Sequence, residues 1–166
     1  MHNVVLGGFH ATLGIALLAL GATALLGRKS RRARHPRIGE AYFWVLTVAL
    51  GTGLADGVVR QVAEGGGLSL FELVTPPTWA LGLLGYLMAK RRPGGWLRWH
   101  IIGQGGSYIG VLTAFGFQVL PRVLPETFAL TMAYWLVPTL VGTILIRRTV
   151  ARWVQRPALA GRRVGV

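Results

Sequence analysis

Val4 to Leu26 reads VVLGGFHATLGIALLALGATALL, a run with no charged residue and a single histidine, His10. At about 1.5 Å of rise per residue, such a run crosses the roughly 30 Å hydrocarbon core of a bilayer as one helix. The positive charges follow it, in Arg28-Lys29-Ser30-Arg31-Arg32-Ala33-Arg34, while Met1-His2-Asn3 ahead of it contributes no lysine or arginine. A secretory leader carries its basic residues first and has a shorter apolar core. The stretch is therefore read as a retained helix, although Ala22-Thr23-Ala24 resembles a cleavage site. With its basic flank behind it, this helix enters the membrane from outside.

Four more apolar segments follow, at residues 41–59, 70–89, 99–120 and 127–146. Tyr42-Phe43-Trp44 opens the second as an interfacial aromatic cluster, and the third carries Glu72 and Pro76-Pro77 in its first half. Proline removes a backbone donor from a helix, so a kink or a short non-helical entry is expected there. Pro138 is expected to bend the fifth segment. The expected architecture is all-α: an integral membrane bundle of five transmembrane helices over residues 1–146, with a basic cytoplasmic tail at 147–166.

Charge sets the orientation. Six lysines or arginines follow segment one, four follow segment three and six lie in the tail, against Arg60 and Arg122 on the other side. Cytoplasmic loops are enriched in lysine and arginine, so this split places the N-terminus outside and the C-terminus inside. The net charge of +13 is accordingly assigned to contact with anionic lipid headgroups and not to nucleic acid. The soluble fold and aromatic-interleaved basic patch of a nucleic-acid binder are missing. There is no cysteine, which excludes disulfides, thiolate metal sites and a cysteine nucleophile. The carboxylates are scattered, no serine stands at a recognised spacing from a histidine, and no phosphate-binding loop is present. The sequence assigns no catalytic residue and no metal ligand set.

Helices in lipid associate through close backbone approach and interhelical hydrogen bonds. Small residues line one face of segment one (Gly7, Ala11, Gly14, Gly21), of segment three (Gly82, Gly85, Ala89) and of segment four (Gly103, Gly106, Gly110). They are read as packing seams, within the chain or in a homo- or hetero-oligomer.

Ionisable groups at membrane depth are costly and turn towards the bundle interior. His10, Asp56 and Arg60 are expected to form an outer cluster, with Gln118 nearby. It serves either as an interhelical bond that fixes registry or as a proton or ion relay. On the inner side His100, Gln104, Ser107 and Tyr108 share one helical face, and His35 lies in the loop before segment two. The inner group is either an interfacial belt or an anion or cofactor pocket using His35, His100, Gln104 and Tyr108. His35 and His100 are the histidines at matched depth, so a haem, if bound, would belong to them.

The run Trp99-His100-Ile101-Ile102-Gly103-Gln104-Gly105-Gly106-Ser107-Tyr108-Ile109, continued through Leu112-Thr113-Ala114-Phe115, resembles the small bacterial multi-pass membrane proteins of the domain-of-unknown-function family numbered 2306. So does Arg34-His35-Pro36-Arg37-Ile38-Gly39-Glu40-Ala41-Tyr42 after a helix bearing His10. The resemblance covers residues 5–146 and implies a multi-pass bundle in a bacterial cytoplasmic (inner) membrane. The family lends no reaction. The function expected is a non-catalytic partner or scaffold in the membrane, with a haem- or cofactor-binding redox protein and a proton- or ion-conducting module as the alternatives.

Overall fold

The computed structural model describes residues 4–27, 34–64, 70–124 and 127–155. They form α1 (Val4–Leu26), α2 (His35–Glu64), α3 (Leu70–Arg91), α4 (Trp96–Val119) and α5 (Phe128–Val150), with no strand among the described residues. A 3-10 turn, Leu120–Arg122, follows α4, and a π turn, Ala151–Gln155, follows α5. The stretches Gly7–Leu26, His35–Ala63 and Phe128–Val154 are long and apolar enough to cross a membrane. Their length and composition point to a membrane protein.

Several local expectations need correction. α2 begins at His35, so His35 is a helical residue and not part of a loop. Tyr42 and Phe43 are 2% and 3% exposed, so they belong to the core, and of that aromatic cluster only Trp44 is turned outward. The reason is register. Tyr42, Leu46, Ala49 and Leu50 share one face of α2 and pack with Leu17 of α1 and Val111 of α4. α3 runs as helix through Pro76 and Pro77, with no non-helical entry. α5 likewise continues through Pro138 and past Ile146 to Val150, so the start of the expected tail is helical.

Order of packing follows side-chain size. α3 and α4 share the most extensive contact, and α4 also meets α5 and α1. A Cβ placed on Gly103 would lie 2.5 Å from the backbone nitrogen of Gly85 and 2.6 Å from the carbonyl oxygen of Leu81. The two backbones therefore touch, which only glycine permits. On its other side α4 meets α5 reciprocally: Ile109 covers Gly142, and Ile146 covers Gly105. The four-residue reversal between α3 and α4 depends on left-handed backbone at Arg92 (φ 48°) and Gly95 (φ 71°), a conformation glycine adopts freely.

The outward surface is apolar. On α5, Leu136, Val137, Leu140, Val141, Ile144 and Leu145 are all exposed. A contiguous apolar face of this kind is rare on a soluble monomer and marks contact with lipid or with another protein.

Candidate functional site

The polar side chains of the bundle gather along α4 and its neighbours, and the end where α2 and α4 begin holds the most defined arrangement. His35, in the first turn of α2, and His100, in the second turn of α4, stand with ring centroids 6.4 Å apart and planes at 89°. His100 Nδ1 lies 2.8 Å from the Gly85 carbonyl oxygen. A carbonyl only accepts, so Nδ1 carries the proton and donates it, which fixes the tautomer and orients the ring. Trp96, one turn earlier on α4, lies 6.1 Å from the same imidazole. Around this pair stand Arg92 over Trp96 at 5.2 Å and Arg98 over Trp99 at 5.7 Å. The Lys90–Glu40 ion pair, 2.8 Å long, joins the end of α3 to the start of α2. It is exposed and contributes little to stability.

Gln104 and Tyr108, expected in the same pocket, reach elsewhere. Gln104 Nε2 donates to the Gly82 carbonyl at 3.3 Å, and the Tyr108 hydroxyl donates to the Leu18 carbonyl at 3.1 Å. Between them Ser107, fully buried, donates to the Gln104 carbonyl at 2.9 Å. That commits its proton, so the Tyr42 hydroxyl, 3.2 Å away, donates to Ser107 Oγ. One face of α4 thus ties α1, α2 and α3 together. Buried polar groups need internal hydrogen-bond partners, and these have them.

Further along α2, His10 Nδ1 lies 3.4 Å from Thr52 Oγ1, one turn before Asp56 on the same face of the helix. His10 and Asp56 are both half-buried, whereas Gln118 is exposed. The Arg60 side chain lies outside the described residues. No group of three or more histidine, cysteine or carboxylate side chains among the described residues is placed to hold a metal ion.

Glu72, which the sequence places in the first half of segment three, belongs with Thr75 and Thr78, which the sequence reading does not single out, to a further polar set. Glu72, Thr75 and Thr78 are buried, at 6%, 5% and 5% exposure. They occupy i, i+3 and i+6 on α3, and Gly82 and Gly85 continue the same stripe. Glu72 packs its carboxylate against Gly57 of α2, and Thr78 sets its hydroxyl against Gly110 of α4. The spacing was legible, since 72, 75, 78, 82 and 85 follow one helical face. Pro76 and Pro77 lie within that stretch and mask the pattern.

Comparison with protein-family models, with curated proteins and with solved structures finds no match for this chain. The fold and site define a class only: a protein all-helical among the described residues, with three helices long and apolar enough to cross a membrane and a polar interior seam.

Proposed function

We propose that the chain is a five-span integral bundle, N-terminus outside and C-terminus inside, in a bacterial-type cytoplasmic membrane, and that it acts as a partner or scaffold subunit of a larger membrane assembly. The distribution of basic residues supports the orientation, and the residue runs at 34–42 and 99–115 support grouping it with the family numbered 2306. One observation carries the partner reading. Gly7, Gly8 and Gly14 of α1 have nothing within 4 Å of where a Cβ would stand, while Gly85, Gly103, Gly105, Gly106 and Gly142 are closely covered. Small residues allow backbones to approach in lipid, and α1 presents them outward. Gly14→Leu is expected to abolish co-purification with the partner in native detergent extracts while leaving the thermal unfolding of the chain itself unchanged. A wild-type chain that extracts as a solitary monomer contradicts the reading.

The 6.4 Å pairing of His35 and His100 supports a second reading, in which the two imidazoles hold one haem iron. A ligating histidine usually donates its second ring nitrogen's proton to a carbonyl or carboxylate, as His100 does to Gly85. Protein purified without added cofactor is then expected to show a Soret band that His100→Ala removes. A colourless, metal-free preparation contradicts it.

A further inference from the structure

We infer that the reversal between α3 and α4 is a docking site for anionic phospholipid headgroups, with Arg92 and Arg98 as the groups that hold the phosphate. The inference goes beyond the partner role and rests on the chain lying in a membrane. Net charge alone spreads such contact over every basic segment; the structure singles out two arginines. Arg92 Cζ stands 5.2 Å from the centre of the Trp96 ring, and Arg98 Cζ stands 5.7 Å from that of Trp99. Trp96 and Trp99 follow i, i+3 spacing at the start of α4, so the two stacked pairs are neighbours on one helix. Stacking occupies the flat face of a guanidinium. Its N–H groups lie in the plane and form the fork that phosphate oxygens match. Arg92 spends its Nε–H on the Ala89 carbonyl at 3.4 Å, which leaves its terminal N–H groups for a ligand.

Lys90, on the same reversal, is already paired with Glu40 at 2.8 Å. Arg92 and Arg98 are exposed, and among the described residues neither pairs with a carboxylate. Gly94 and Gly95, between them, have nothing within 4 Å of where a Cβ would stand, so the approach is open. Charge complementarity therefore calls for an anion. A lipid phosphate fits better than a free ion, because the tryptophans belong to the same surface. Trp99 is 46% exposed and Trp96 is half-buried, and indoles at helix ends settle at headgroup level. The same combination recurs at Arg152 over Trp153, 5.6 Å apart, on the turn after α5. α4 and α5 run antiparallel, with Gly105 against Ile146 and Ile109 against Gly142, so that turn returns to the level of Trp99. Arginine–tryptophan stacks thus gather at one end of the bundle, each with a cation for the phosphate and an indole for the interface beneath it.

The test titrates the purified full chain in detergent with dioleoylphosphatidylglycerol or dioleoylphosphatidylcholine and counts retained lipid by native mass spectrometry. Phosphatidylglycerol is expected to be retained about tenfold better, the scale set by two arginines at an anionic surface. Arg92→Gln combined with Arg98→Gln is expected to bring the two lipids to parity. Arg147→Gln combined with Arg148→Gln removes the same charge from arginines without such a stack among the described residues, and is expected to keep most of the preference. Arg92→Lys combined with Arg98→Lys keeps the charge without the fork and is expected to lose much of it. Thermal melts of each variant establish folding. No preference in the wild type overturns the site. So does equal loss in both glutamine doubles, or full preference in the lysine double, because net charge alone then explains the binding. Displacement of the lipid by inorganic phosphate at equal concentration overturns the lipid as occupant. Protein that carbonate strips from vesicles overturns the membrane reading itself, a failure separable from the others.

Discussion

Replacing Gly103 with valine is expected to drive α3 and α4 apart and to cost more stability than any other single glycine substitution in the chain. The groups that a Cβ would meet are the Gly85 nitrogen at 2.5 Å, the Gly85 Cα at 2.8 Å and the Leu81 carbonyl oxygen at 2.6 Å. All are backbone, so no side chain can rotate away. Overpacking a rigid site costs about 1–3 kcal/mol and occasionally more, and here a second helix must translate bodily. The shift would also break the His100–Gly85 and Gln104–Gly82 hydrogen bonds, adding buried polar groups without partners. Alanine at the same position should show a smaller loss of the same sign. By contrast Gly7→Ala meets open space and should leave the melting temperature in detergent unchanged. Equal melting temperatures for Gly103→Val and Gly7→Ala would contradict the backbone contact.

Leu46→Ala is the second large effect. Leu46 is 0% exposed and sits at the centre of the cluster formed by Leu17, Tyr42, Ala49, Leu50 and Val111. Removing a buried leucine costs about 2–5 kcal/mol, the spread reflecting how far the cavity collapses. Collapse is restricted here because Gly82 opposite has no side chain to fill the space. The comparison residue is Leu140 on α5, which is 60% exposed. Leu140→Ala loses little packing and is expected to unfold like the wild type, as read by denaturant or thermal titration in detergent micelles.

How much of this was legible in the sequence depended on what each residue touches. Helical class, the limits of α1 and the glycine seam of α3 and α4 follow from composition and spacing, because each is a property of one helix face. Gly103, Gly106 and Gly110 needed no partner to be recognised as small, and their fit against Gly85, Leu81 and Thr78 then followed. The stripe on α1 behaved differently: Gly21 meets the Tyr108 ring, but a Cβ on Gly7 or Gly14 would meet nothing within 4 Å among the described residues. Spacing cannot say which side of a helix a neighbour will take.

The candidate site divided along the same line. His35 and His100 were matched by depth alone, and they do come together. Gln104 and Tyr108 share a face with His100, yet each is turned to a different helix, because the side chains fan out around α4 and reach the nearest backbone carbonyl. Tyr42 was read as interfacial because aromatic residues gather at membrane boundaries. Its hydroxyl instead finds Ser107 inside the bundle, a pairing across 65 positions that no local pattern encodes. The polar content of α3 and α4 has the same explanation. These helices are absent from the stretches apolar enough to cross a membrane, and their polar residues lie in the seam they share, where neighbours and not lipid satisfy them.

Lipid as the surrounding solvent, with the arginine-rich segments held on the cytosolic side, is the claim from which the rest descends. Reporters fused to the two ends of the full chain in intact bacterial cells test it most directly, one active only outside the cytoplasm and one only within it. The account predicts activity of the external reporter at the N-terminus and of the internal reporter at the C-terminus, with both fusions sedimenting in the membrane fraction. Both ends reporting from one compartment, or fusion protein recovered in the soluble fraction, would contradict it.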